Sequence, residues 1–104
     1  MSMRIEYPLG SLTKDDALAR LKALGEYFTN KHQIAVNWTG ERAQVKGKYM
    51  IVSIEGSLSF DGTKAIFDGK DPGMLWRGKA KDYLTAKLAK YLDPRTPLDD
   101  LPRR

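Results

Sequence analysis

The feature that most constrains the fold of this chain is a run of four short alternating segments between residues 34 and 69. Apolar side chains occupy every second position in these segments, as at Val36 and Trp38 in the first of them. This period of two predicts strands with one buried face. Asp61-Gly62 separates the last two segments, and this dipeptide is typical of a tight hairpin turn. We therefore expect a four-stranded antiparallel meander.

The alternation also assigns a face to each side chain of the meander. The strand over 42–48 turns a basic face outward, and its basic residues are Arg42, Lys46 and Lys48. The next strand has the longest inner face, which consists of Met50, Val52, Ile54, Gly56, Leu58 and Phe60. The last strand, over 64–69, directs Ala65 and Phe67 inward. One face of the sheet is therefore apolar and needs a covering layer.

Two segments with helical periodicity flank the meander and supply that layer. The first predicts a helix over residues 14–31, with Thr13 as its N-cap and Asp16 three residues later, as in a capping box. Gly25 within it is explained by a close approach of the helix to the sheet. The second predicts a helix over residues 74–92, which Gly78 is able to interrupt.

The predicted order of elements is β-α-β-β-β-β-α, because residues 3–8 add a short strand before the first helix. This is an α+β fold of a single domain, an antiparallel sheet with both helices packed on one face. We expect the domain to span residues 1–92. Residues 93–104 contain three prolines and form a C-terminal tail that is either loose or laid over the surface.

The composition excludes several classes of function. The chain of 104 residues has no cysteine and one histidine, which excludes thiolate metal sites, cysteine nucleophiles and multi-histidine metal centres. Its first residues lack the apolar core of a signal peptide, and no apolar run approaches the ~20 residues of a membrane span. We therefore expect a cytoplasmic protein. Its 18 basic and 13 acidic residues give a formal net charge of +5.

No arrangement of residues in the sequence predicts catalysis, a metal or a cofactor. His32 falls in the last turn of the first helix, where a cation is favoured, and no nucleophile is tied to it by spacing. Asp61, Asp68 and Asp71 lie in or beside turns, and their spacing fits no EF-hand loop. Gly47-Lys48 lacks the upstream glycine of a phosphate-binding loop. We therefore predict a protein that is not an enzyme.

Basic residues concentrate on the second helix and on the strand over 42–48. Those of the helix are Arg77, Lys79, Lys81, Lys87 and Lys90. Such a face is either solvated, which is the interpretation that we favour, or able to bind phosphates. A small nucleic-acid-binding module is therefore an alternative function, although no RNA-recognition motif with paired aromatics supports it.

Met74, Leu75 and Trp76 form a cluster of large apolar residues directly after a Pro-Gly turn. The cluster either caps the core or forms an exposed amphipathic patch that binds a hydrophobic surface or a partner. Its basic neighbours are Arg77, Lys79 and Lys81. Together these six residues are the candidates for surface or partner binding.

A third interpretation is a cradle for a small acyl-type ligand between the sheet and the helices. The residues that we expect to line it are Trp38, Phe60, Phe67 and Trp76. This interpretation requires a cavity of a few hundred Å³ in the folded chain.

Several short motifs follow one another in a characteristic order. In the first half they are Tyr7-Pro8-Leu9-Gly10, a helix with Ala17 and Arg20, and Trp38-Thr39-Gly40-Glu41. In the second half they are Ile54-Glu55-Gly56-Ser57-Leu58-Ser59, Asp68-Gly69-Lys70-Asp71-Pro72 and Trp76-Arg77-Gly78-Lys79. This order resembles that of the polyhydroxyalkanoic acid system protein family, over residues 4–92.

Two departures limit what the resemblance implies. Tyr7-Pro8 stands where the family often has His-Ser, and Glu41 stands in place of a turn aspartate. The resemblance implies a bacterial cytoplasmic accessory protein, with no reaction and no catalytic residues. We therefore expect a non-enzymatic accessory or interaction protein of polyhydroxyalkanoate storage. Its expected partner is the granule surface or a granule-associated protein.

Overall fold

The computed structural model describes residues 2–49 and 52–104. Its elements are β1 (Ser2–Pro8), α1 (Lys14–His32), β2 (Ala35–Thr39), β3 (Arg42–Tyr49), β4 (Val52–Asp61), β5 (Lys64–Lys70) and α2 (Met74–Tyr91). A 3-10 turn follows at Leu98–Asp100. This confirms the predicted α+β fold and its order of elements. Met50, predicted on the inner face of the sheet, lies outside the described residues.

The sheet has the strand order β1-β5-β4-β3-β2, and every neighbouring pair is antiparallel. The meander consists of β2 to β5, and β1 forms the edge strand beside β5. Gly62 has φ +58° in the last hairpin, where Asp61 pairs with Lys64, so the predicted turn is confirmed.

The core lies between the inner face of the sheet and the two helices. The largest fully buried side chains are Leu21 and Leu24 from α1 and Leu88 and Tyr91 from α2. They join one cluster with inner-face residues of the sheet. Both helices therefore pack on the same face, as predicted.

Helix α1 begins and packs as its sequence indicates. The Thr13 hydroxyl accepts a hydrogen bond from the Asp16 backbone N–H at 3.1 Å, which satisfies one of the free donors of the first turn. A Cβ at Gly25 would lie 3.1 Å from Val36 Cγ1 and 3.5 Å from Trp38 Nε1. The close approach of this helix to the sheet is therefore confirmed.

Helix α2 runs without a break through Gly78, so the suggested interruption there is wrong. A glycine lowers the stability of a helix by about 1 kcal/mol but removes no backbone hydrogen bond. No atom lies within 4 Å of the position of a Cβ at Gly78, so this residue faces open space.

The end of α2 is tied to α1 by a buried arginine. Arg20 is 4% exposed, and its Nη1 donates to the Tyr91 carbonyl at 3.2 Å and to the Asp93 carbonyl at 2.9 Å. Its Nε donates to the Asp16 carboxylate at 3.3 Å. The guanidinium thus satisfies carbonyls at the end of α2 that have no partner within the helix.

The C-terminal residues lie over the two helices. Leu101 is buried in the core, and Leu98 packs against it. The Tyr91 hydroxyl donates to the Pro102 carbonyl, and burial raises the pKa of Tyr91 to about 12. Asn30 Nδ2 donates to the Arg103 carbonyl at 2.7 Å. The described tail is therefore ordered against the domain.

Candidate functional site

A cavity of about 390 Å³ lies between the inner face of the sheet and α2. Its floor is formed by Val45 of β3, Ile54 and Leu58 of β4, and Phe67 of β5. These side chains face inward because each is separated from the next inward residue of its strand by one outward residue. The floor is therefore an apolar surface that the period of the strands creates.

The roof of the cavity is the inner stripe of α2. Trp76, Ala80, Leu84 and Leu88 line it, and they follow one another at intervals of four residues. Leu88 is buried, whereas the other three are only half-buried. The C-terminal part of α2 is thus anchored in the core, and its N-terminal half spans the cavity.

One wall of the cavity, where the end of α1 meets α2, is aromatic and carries polar groups. His32 Nε2 and the Tyr83 hydroxyl are 3.2 Å apart, and both residues line the cavity. Partial burial lowers the pKa of His32, and the nearby charges of Lys31 and Lys87 lower it further. His32 is therefore neutral near pH 7, and it lies at the end of α1 as the sequence predicts.

The start of α2 is held by Asp71. Its carboxylate accepts from the Gly73 N–H at 2.8 Å and forms an ion pair with Arg77 Nη2 at 2.7 Å. The hydrogen bond from Arg77, with that from Gly73, lowers the pKa of Asp71. Since Gly73 adopts φ +102°, the chain turns sharply from Pro72 into the helix.

In the first turn of α2, the three apolar side chains of Met74, Leu75 and Trp76 point in different directions. Met74 is 86% exposed and Leu75 is 85% exposed. Trp76 is half-buried and lines the cavity. Successive residues of a helix point about 100° apart, so three in a row cannot share one face. Met74 and Leu75 are therefore exposed, as the interpretation of a surface patch requires, whereas Trp76 borders the cavity.

The basic neighbours of this cluster differ in their partners. Arg77 is bound by Asp71, so its charge is offset. Lys79 Nζ lies 5.7 Å from the centre of the Trp76 ring, at the rim of the cavity. Lys81 is exposed. Lys79 therefore brings a positive charge to both the cavity and the exposed apolar turn.

The basic strand residues lie on the other side of the molecule. Arg42, Lys46 and Lys48 alternate with inward residues of β3, so they point away from the helices. Lys46 is directly opposite Glu55 of β4 in the sheet. The structure therefore does not bring the two basic clusters together, and an acid faces one of them.

The predicted lining of the cradle is correct for two of its four aromatics. Phe67 and Trp76 line the cavity, but Trp38 and Phe60 do not. Trp38 is in β2, beside Gly25 of α1, and α1 covers that side of the sheet. The prediction of Trp38 and Phe60 as lining residues is thus wrong, because alternation gives the face of a residue but not its distance from α2.

Ile54 was predicted as an inward residue of the sheet but not as part of a site, and Ala80 and Leu84 lie on the apolar stripe of α2. Tyr83 was missed altogether, since it lies beside the apolar stripe of α2 rather than in it. Its position four residues before Lys87, one turn along the same face of the helix, is the signal that could have indicated it.

Fold and site together define a small α+β domain with an apolar cavity beneath its second helix and an exposed apolar turn at the start of that helix. The chain belongs to the family described as "Putative polyhydroxyalkanoic acid system protein", which matches residues 10–95. The match confirms the resemblance seen in the motifs, and the family description names no reaction. Comparisons with curated proteins and with solved structures gave no match.

Two further observations concern the part of the chain that the structure describes. Neither α1 nor α2 is apolar enough over a sufficient length to cross a membrane. Within residues 2–49 and 52–104, no three histidine or acidic side chains come together as metal ligands.

Proposed function

We propose that this chain is a non-enzymatic, cytoplasmic accessory protein of polyhydroxyalkanoate storage, and that it binds the hydrophobic surface of the polyester granule. The observation that carries this proposal is the almost complete exposure of Met74 and Leu75, side by side in the first turn of α2. The family to which the chain belongs supports a role in the polyhydroxyalkanoic acid system.

The apolar turn is suited to adsorption on a polymer surface. Complete burial of one leucine or methionine side chain makes the free energy of binding more favourable by about 1.5–3 kcal/mol. Lys79 follows Leu75 by one helical turn and flanks it with a positive charge. A linear polyester of hydroxy acids has one carboxylate end and one hydroxyl end, so such a flank complements the charge of the carboxylate end.

The proposal is tested with washed polyhydroxyalkanoate granules and the double substitution Met74→Ser/Leu75→Ser. We expect the wild-type protein to sediment with the granules and the double variant to bind at least ~10-fold more weakly, because two buried apolar side chains are lost. Sedimentation over a series of protein concentrations gives both affinities.

The matched control is Ala86→Ser, a polar substitution at another exposed position of α2. It should bind like the wild type, and both variants should keep the free energy of unfolding within about 0.5 kcal/mol of the wild type. Equal sedimentation of the double variant and the wild type would overturn the proposal. So would wild-type protein that stays in the supernatant.

The alternative function, nucleic-acid binding, predicts a different result when the protein is titrated with DNA or RNA. Binding carried by basic residues would be strong at about 50 mM salt, would weaken steeply as salt is raised, and would not depend on Met74 or Leu75. We expect no such binding, because Arg42, Lys46 and Lys48 face away from α2.

A further inference from the structure

We propose that the cavity beneath α2 binds one molecule of a medium-chain alkanoic acid, with its aliphatic chain inside and its carboxylate at Lys79. This inference goes beyond granule binding because it concerns a different site and a single dissolved molecule. Neither site requires the other, so each proposal can fail alone.

The size of the cavity selects the length of the ligand. Small-molecule sites commonly have volumes of about 300–1,000 Å³, and the value of 390 Å³ lies at the lower end of this range. A dry apolar cavity of ~150 Å³ holds benzene, which scales to roughly 15 non-hydrogen atoms here. An acid of about 8–12 carbons meets this limit.

The lining selects an aliphatic chain. The floor residues Val45, Ile54 and Leu58 and the roof residues Ala80 and Leu84 offer no hydrogen-bonding side chain. Polar side chains line other parts of the cavity, at His32, Ser53, Glu55, Lys70 and Tyr83. A polar group placed between the floor and the roof would therefore lose its hydration without compensation. An alkyl chain loses no hydrogen bond on entering, and its burial is favourable in proportion to its area.

The charge at the rim selects the head group. Lys79 lines the cavity and is exposed, so its ammonium reaches water and the mouth at once. Among residues 2–49 and 52–104, no carboxylate pairs with Lys79, whose ammonium lies over the Trp76 ring. A ligand carboxylate can therefore pair with the Lys79 ammonium without breaking an ion pair within the protein.

The roof is held to the core by few buried side chains. From Met74 to Lys87, α2 contributes no buried side chain, whereas Leu88 and Tyr91 are buried. Entry of a chain therefore requires displacement of only the N-terminal half of the helix, between its anchor at Asp71 and its buried end.

The test is isothermal titration calorimetry of the full chain with decanoate, 3-hydroxydecanoate and decanol, below their micellar concentrations. We expect one saturable site for the acids and weaker binding of decanol. Lys79→Met should weaken binding of the acids by about 10-fold and leave binding of decanol unchanged, because it removes the charge and keeps the aliphatic stem.

Ala80→Phe fills the cavity from its roof, and Ala86→Phe places the same side chain on the exposed side of α2. We expect Ala80→Phe to reduce binding of all three ligands at least ~10-fold and Ala86→Phe to have no effect. If Ala80→Phe fails to fold, Ala80→Leu replaces it as a smaller filling substitution.

The granule-binding variant separates this inference from the proposed function. Met74→Ser/Leu75→Ser should bind decanoate like the wild type, whether or not it binds granules. Absence of saturable binding to wild-type protein would overturn the inference, and so would unchanged binding by folded cavity-filling variants. Loss of acid binding in the Met74→Ser/Leu75→Ser variant would also contradict it, because the ligand would then be adsorbed at the exposed turn.

Discussion

Replacement of Arg20 by methionine is expected to lower the free energy of unfolding by about 2–3 kcal/mol. The guanidinium is 4% exposed and donates to the carbonyls of Tyr91 and Asp93. Methionine fills a similar volume but donates nothing, so the buried Tyr91 carbonyl at the end of α2 loses this donor, whereas the Asp93 carbonyl keeps the Thr96 backbone N–H at 3.1 Å. Urea denaturation followed by circular dichroism measures the change.

Asp16→Asn is the control for this experiment. Asp16 pairs with Arg20 near the surface, and its backbone N–H, which the Thr13 hydroxyl caps, is unchanged by the substitution. The Asp16 side chain is 42% exposed although Arg20 is buried, and asparagine keeps an oxygen that accepts from Arg20, so we expect a smaller loss than for Arg20→Met, about 1 kcal/mol or less. If Asp16→Asn lowers the free energy of unfolding as much as Arg20→Met does, the stabilising contact of Arg20 is its ion pair and not its hydrogen bonds to the two carbonyls.

Alanine at Gly56 is expected to lower the free energy of unfolding by about 2 kcal/mol, or roughly 8–16 °C in Tm. Gly56 pairs with Gly69 across β4 and β5. A Cβ at Gly56 would lie 2.9 Å from Gly69 Cα and 2.8 Å from Phe67 Cζ. The backbone of β5 cannot yield as a flexible side chain can, so the sheet must shift.

Gly78→Ala is the matched control, since it makes the same substitution where nothing lies within 4 Å. It should raise the free energy of unfolding by about 0.5–1 kcal/mol, because alanine is the better helix former. Thermal denaturation of both variants gives the comparison. If Gly56→Ala and Gly78→Ala change the free energy of unfolding by the same amount in the same direction, the close packing of β4 and β5 is contradicted.

The glycine pair also connects the fold with the cavity. Because Gly56 and Gly69 lack side chains, the Phe67 ring lies close to the sheet and forms part of the cavity floor. A methyl group at Gly56 pushes this ring toward α2. The cavity thus depends on two residues that the sequence shows only as interruptions of an apolar alternation.

Most of the fold could be predicted because its signals are local. Thr13 caps α1 through a neighbour three residues away, and Asp61-Gly62 forms a turn between adjacent strands. Such features depend on spacing along the chain alone. The break suggested at Gly78 failed because an exposed glycine weakens a helix but does not end it.

The site was less predictable because it depends on which residues face each other across the core. Periodicity placed Trp38, Phe60 and Phe67 equally well on the inward face of the sheet, and it left open whether Trp76 is buried or exposed. Only the path of α2 over the sheet decides which of them line the cavity. Arg20 could have been recognised, since it lies four residues before Leu24 and so falls on the buried stripe of α1.

The most direct measurement of granule binding through the first turn of α2 is the fluorescence of single-tryptophan variants. The chain has two tryptophans, so Trp38→Phe leaves only Trp76, in the same turn as Met74 and Leu75. On addition of granules we expect Trp76 emission to move to shorter wavelength and become protected from acrylamide. The Trp76→Phe variant should show no change. Adding Met74→Ser/Leu75→Ser to the Trp38→Phe variant should abolish the response. A response from Trp38 alone, or a Trp76 response that persists after Met74→Ser/Leu75→Ser, would contradict binding through this turn.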